Sequence, residues 1–87
     1  MGDDGDELQA LYGFVRRRAI RRLWVAEIAS DSDGTHRASE EIRMLRDIVR
    51  EAERGEGVAA TLDYLRARAV DDRDHEDFPA RFFADPP

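Results

Sequence analysis

The densest group of side chains that could do chemistry is a cluster of five arginines: Arg16, Arg17, Arg18, Arg21 and Arg22. Guanidinium groups bind phosphates and carboxylates, so such a cluster could contact nucleic acid. That function requires a positive field that survives the whole molecule. This chain has 14 basic and 20 acidic residues and a net charge of −6. We therefore favour a solvated, salt-bridged face and rank nucleic-acid binding below two other functions.

A run of acidic residues near the C-terminus is the second such group, and it comprises Asp71, Asp72, Asp74, Glu76 and Asp77. One interpretation is that this run neutralises the arginine cluster within the fold. The alternative is an acidic surface through which a small regulator or inhibitor binds a basic protein, including a nucleic-acid-binding one. Binding of that kind should weaken steeply as ionic strength rises.

Patterns for catalysis and metal binding are missing from the sequence. It has no cysteine and no lysine, and its Ser and Thr residues are not placed in a nucleophile turn. Residues 31–35 have the composition of a calcium loop, but His36 stands where that loop needs glycine and Ile42 where it needs glutamate. His36 and His75 each lack a second ligand at helical spacing. We expect a non-enzymatic protein without metal or cofactor.

Three helical segments must position these groups. The apolar periodicity predicts helices over residues 7–29, from Thr35 or Ser39 to Arg54, and over residues 58–70. Asp6 is the expected N-cap of the first helix, and Pro79 is expected to open a short helical turn. Short connections make neighbouring helices antiparallel, so the predicted fold is an all-α, three-helix bundle.

The domain layout follows from these segments. Residues 1–6 are predicted to form a disordered acidic tail, and residues 7–70 the three-helix domain. Residues 71–87 are predicted to form an acidic connector followed by an aromatic segment. We expect Phe78, Phe82 and Phe83 to pack this segment against the bundle.

The first helix is apolar on two sides. One side is a regular core stripe: Leu8, Leu11, Tyr12, Val15, Ala19, Leu23 and Ala26. The sequence leaves three interpretations open for the second side. Other helices cover it, the aromatic segment folds over Trp24 and covers it, or it is exposed to bind a partner. In the last case the partner-binding residues are Phe14, Arg17, Arg21, Trp24, Val25 and Ile28, since Trp and Arg are enriched at binding hot spots.

Residues 11–18, LYGFVRRR, and residues 65–78, LRARAVDDRDHEDF, have a recognisable pattern. Both stretches resemble a family of short, uncharacterised actinobacterial proteins that form a domain of unknown function. Residues 11–18, LYGFVRRR, are similar to the opening helix of that family. Residues 65–78 are similar to its end, where a leucine-rich helix gives way to Asp-His, one spacer, and Asp followed by an aromatic residue, here Phe78. The family's proline and aromatic residue before Asp-His are missing here. The resemblance implies a shared architecture, with His75 and Phe78 in a folded C-terminal element.

Together these features predict a soluble, cytoplasmic helical module that binds another protein. No apolar run is long enough to span a membrane, and the acidic N-terminus is unlike a secretory signal. Self-association through the first helix is the simplest form of this function, since symmetric dimers are the commonest oligomers.

Overall fold

The computed structural model describes residues 3–83, which form three α-helices and one short 3₁₀ turn. The helices are α1 (Asp3–Ile28), α2 (Ser32–Glu53) and α3 (Val58–Val70), and the 3₁₀ turn covers Ala80–Phe82. These residues contain no strand, so the predicted all-α bundle is confirmed.

Helices α1 and α2 run antiparallel, as their short connection predicts. Gln9 near the start of α1 donates a hydrogen bond to Glu53 at the end of α2. Arg22 toward the other end of α1 contacts Glu41, 2.9 Å away, nearer the start of α2. The two helices make the most extensive contact in the fold.

Helix α1 begins earlier than the sequence predicted. Residues 3–6 are helical, so Asp6 is not a cap and the predicted disordered tail is wrong at these positions. Glu7 is buried and pairs with Arg66 of α3, which holds the first turns in place. Residues 1–2 of the predicted tail lie outside the described residues.

Helix α2 also begins early, at Ser32 rather than at Thr35 or Ser39. Asp31 is its N-cap, and a carboxylate oxygen of Asp31 accepts a hydrogen bond from the Gly34 amide at 3.0 Å. A Cβ atom at Gly34 would lie 2.5 Å from the other oxygen of this carboxylate, so a larger residue there would displace the capping side chain. The aspartate-rich loop therefore serves helix capping.

Helix α3 spans the predicted residues. Its N-cap is Gly57, whose φ of 65° lies in the left-handed region that favours glycine. Leu62 and Leu65 of α3 pack in a core with residues from both other helices. The buried core residues are Leu8, Leu11, Phe14, Val15, Ala19, Leu45, Val49, Ala52, Leu62, Leu65 and Ala69.

The three helices differ in length, and this decides what stays exposed. At 1.5 Å per residue, α1 is about 39 Å long and α3 only about 20 Å. Helix α3 packs beside the N-terminal part of α1, and its last turn reaches Glu41 through Arg68. The C-terminal part of α1 and the N-terminal part of α2 therefore form a two-helix tip, beside which residues 3–83 place no third helix.

The C-terminal segment folds back onto the bundle, as expected. Phe78 and Phe83 pack against the core, with their ring centroids 4.7 Å apart. Phe82 is half-buried, and the Arg81 guanidinium lies 4.6 Å from its ring centroid. The sequence predicted Pro79 as the first residue of this turn, but Pro79 directly precedes it as the N-cap residue.

Candidate interaction surface

Large apolar side chains are exposed on the last turns of α1. Trp24 is 58% exposed, Val25 53% and Ile28 84%. All three belong to the two-helix tip, where α3 is too short to cover them. Arg17 and Arg21 on the same side are exposed, and neither forms an ion pair with another described residue. We call these five residues the α1 surface.

The sixth predicted binding residue, Phe14, does not belong to this surface, so its assignment as a partner contact was wrong. Phe14 is 1% exposed and lies in the core. The rings of His75 and Phe78 meet it edge to face, each with its centroid 5.8 Å away. The C-terminal segment therefore covers Phe14 and leaves Trp24 exposed, because its aromatic rings contact α1 on the N-terminal side of the arginine cluster.

Two residues of the arginine cluster are paired within the fold. Asp72 lies 3.6 Å from Arg18 Nε and 3.7 Å from Arg22, and Arg22 also contacts Glu41 at 2.9 Å. Arg18 Nε is buried and has no hydrogen-bond partner in the described part of the chain. The acidic run thus supplies one carboxylate to the cluster, and α2 supplies another.

The acidic run divides into an inner and an outer part. Asp72 is paired as described, and Asp71 lies 3.6 Å from Arg68 of its own helix end. Asp74, Glu76 and Asp77 are exposed and form no ion pair with another described residue. The Asp77 amide donates a hydrogen bond to His75 Nδ1, which fixes the turn that carries these three carboxylates.

Glu41 is a central ion-pairing residue that the sequence pattern did not single out. Its two carboxylate oxygens contact Arg22 and Arg68, at 2.9 Å and 2.7 Å. Partial burial acts against the charge on Arg68, but attraction and hydrogen bonding to Glu41 outweigh it and raise the pKa of Arg68. For the neighbouring Tyr64, whose neutral form is favoured by burial, burial is the main cause that raises the pKa. Glu41 reaches both arginines because of the way α2 is oriented toward α1 and α3, and the sequence pattern of α2 alone does not determine that orientation.

A cleft of about 580 Å³ lies between α1 and α2 beside the last turn of α3, whose Arg68 also lines it. Val25 and Ala29 contribute apolar walls, and Arg21 and Arg37 contribute guanidinium groups. Asp31, which also lines it, is engaged in capping α2. The cleft extends the α1 surface sideways and favours anionic groups.

The described residues contain no group of three or more His, Asp or Glu side chains that could hold a metal ion. None of the described helices is both long enough and apolar enough to cross a membrane.

Comparisons with protein-family models, with curated proteins and with solved structures gave no match. The function is therefore inferred from the surfaces of this chain.

Proposed function

We propose that this chain is a non-enzymatic protein–protein interaction module that self-associates through the α1 surface. The observation that carries the proposal is the exposure of Trp24 beside Ile28 and Val25 on one stretch of helix. Large apolar side chains clustered at the surface, with arginines at their edge, are typical of binding hot spots. The fold does not need these side chains, since none of them belongs to the core.

The proposal includes a cellular compartment and a family for this module. The cysteine-free composition suits a reducing compartment, so we place the protein in the cytoplasm. We also propose kinship with the short actinobacterial family that residues 11–18 and 65–78 resemble. The packing of His75 and Phe78 against Phe14 agrees with the folded C-terminal element which that resemblance implies.

The charged surfaces give less support to the two other functions. Nucleic-acid binding would use the arginine cluster, but Arg18 and Arg22 are already paired with carboxylates. Binding of a basic protein would use the acidic run, of which Asp71 and Asp72 are engaged internally. Three exposed carboxylates are left for such a partner, and they are spread over a single turn region.

Solution mass tests the proposal. Light scattering behind a sizing column should show a dimer that dissociates as the protein is diluted. Trp24→Ser should shift the mass toward the monomer, because it removes the largest exposed apolar side chain of the surface. Met44→Ser is the matched control, since Met44 is an exposed apolar residue of α2 outside the α1 surface.

Two results would contradict self-association. The first is a monomeric mass for the unsubstituted protein across the whole concentration series. The second is a dimer that Trp24→Ser leaves as stable as Met44→Ser does. Because the chain has one tryptophan, a blue shift of its emission on concentration gives an independent measure of burial at the interface.

A further inference from the structure

The cleft between α1 and α2 is positively charged in a chain that is negative as a whole. Its volume of about 580 Å³ is in the range of small-molecule sites. Five arginines and two carboxylates line it, and Asp72 beside Arg18 adds a third carboxylate. The cleft therefore has an excess of two positive charges, whereas the whole chain has a net charge of −6. A local excess of this kind attracts anions.

Both carboxylates that line the cleft are engaged within the fold. Glu41 contacts Arg22 with one oxygen at 2.9 Å and Arg68 with the other at 2.7 Å. Asp31 accepts a hydrogen bond from the Gly34 amide as the N-cap of α2. The remaining three arginines of the cleft are thus not the partners of these two carboxylates.

These three arginines have donors left for a ligand. The guanidinium groups of Arg18, Arg21 and Arg37 donate no hydrogen bond to another described residue. Arg18 approaches Asp72, but the distance of 3.6 Å from its Nε is longer than a hydrogen bond. Arg21 and Arg37 are exposed and form no ion pair within the described part of the chain. Two walls of the cleft therefore offer unused guanidinium groups, since Arg37 belongs to α2 and the other two to α1.

An apolar strip continues from these cations along the wall of the cleft. Arg21, Val25 and Ala29 are spaced four residues apart, so they lie in one row on α1. Val25 is 53% exposed, and Ala29 is exposed as well. A ligand that places its charge at Arg21 can therefore extend an apolar group over Val25 and Ala29.

We infer that this cleft binds a small organic phosphate, namely a phosphate monoester with a compact apolar group. A phosphate monoester is close to a dianion at neutral pH, and its three terminal oxygens accept strong hydrogen bonds. Its charge equals the excess of the cleft, and arginine forks are suited to phosphate oxygens. Trp24, on which the proposed self-association depends, does not line this cleft. The inference is therefore independent of that function.

Two other kinds of anion fit the cleft less well. A monocarboxylate has one charge and would leave half of the positive excess without a partner. A nucleic-acid strand presents a series of phosphates and needs cations along a longer path. The unused guanidinium groups described above line a single cleft, which favours one compact anion.

Isothermal titration calorimetry of the full chain with phenyl phosphate tests the inference. Phenyl sulfate has a similar shape but one negative charge, and inorganic phosphate lacks the apolar group. We expect one phenyl phosphate per chain, bound about tenfold more tightly than either of the other two anions. Equal affinity for phenyl phosphate and phenyl sulfate would overturn the choice of a dianion.

Substitutions locate the bound anion. Arg21→Gln and Arg37→Gln should each weaken phenyl phosphate binding about tenfold, because each removes charge-assisted hydrogen bonds. Arg17→Gln on α1 and Arg50→Gln on α2 are the matched controls, since both residues are exposed and neither lines the cleft. The controls should retain the original affinity. All four positions are exposed, so circular dichroism should report unchanged folding in every variant.

The pattern of losses decides the outcome. Weaker binding in Arg21→Gln and Arg37→Gln alone supports a phosphate site in the cleft. Similar losses in all four variants would indicate general attraction to positive charge and would overturn the site. The absence of phenyl phosphate binding at millimolar concentration would overturn it as well. Tighter binding of a thymidine oligonucleotide than of phenyl phosphate, weakened also by Arg17→Gln, would assign the arginines to nucleic acid instead.

Discussion

Replacing Phe14 with alanine would test whether the C-terminal segment is an integral part of the bundle. Phe14 is 1% exposed, and it contacts the rings of both His75 and Phe78. The substitution removes a buried ring and leaves a cavity at the point where the segment docks. The same change would cost little if Phe14 belonged to a surface like that of Trp24.

The expected loss can be worked out from these contacts. Truncating a buried phenylalanine to alanine costs about 3–5 kcal/mol, and an edge-to-face pair adds about 0.5–1.5 kcal/mol beyond burial. A chain of this size has a free energy of unfolding of about 4–13 kcal/mol. We expect Phe14→Ala to lower it by about 4 kcal/mol, a large fraction of the total. Phe78→Ala should cost about half as much, since Phe78 is only half-buried.

Urea unfolding followed by circular dichroism measures these losses. The double variant Phe14→Ala/Phe78→Ala should lose about 1 kcal/mol less than the sum of the single variants, because each single change already breaks the shared contact. The reasoning would be refuted if Phe14→Ala cost less than about 1 kcal/mol, as surface substitutions do. Strict additivity of the two losses would refute the contact between the two rings.

Three further predictions concern single residues. Glu41→Gln should lower the free energy of unfolding by about 1–2 kcal/mol, because Arg22 and Arg68 lose the carboxylate that pairs them; urea unfolding measures the loss, and Glu40→Gln, at a more exposed neighbour, should cost less. Gly57→Ala should cost about 1 kcal/mol, since an L side chain is disfavoured at its φ of 65°; thermal unfolding checks this, and Gly57→Asn should retain more stability. The raised pKa of Tyr64 means that folding favours its neutral phenol, so the stability it contributes is present below its ordinary pKa of 10.0 and lost as pH rises through the folded value; Tyr64→Phe should reduce this alkaline loss in a pH series of urea titrations.

The faces of α2 and α3 could be predicted from the sequence, because each helix has one apolar stripe and polar residues elsewhere. Ala38, Leu45 and Val49 recur at helical spacing in the sequence of α2 and are buried, and the same is true of Leu62 and Leu65 in α3. Helix starts were less predictable. Asp6 and Ser39 are reasonable caps by composition, but Asp31 caps α2 and the acidic first turn of α1 is itself helical.

The candidate surface could be predicted only in part, for a geometric reason. Periodicity gives the direction of a side chain around the helix axis but not which partner lies at its height along that axis. Phe14 and Trp24 point to neighbouring directions of α1, yet the returning C-terminal segment covers only Phe14. That outcome depends on where α3 ends and how residues 71–78 turn, which no local pattern encodes. The same holds for Glu41, whose partners come from two other helices.

The short length of α3 divides this small protein into two zones with different constraints on sequence change. Around the three-helix end, most substitutions alter packing and therefore threaten folding itself. In the two-helix tip, Trp24 and Ile28 are exposed, so we expect their substitution to have little effect on the folded state. The sequence of the proposed α1 surface can thus change while the scaffold is preserved, because selection acts on the two zones through different properties.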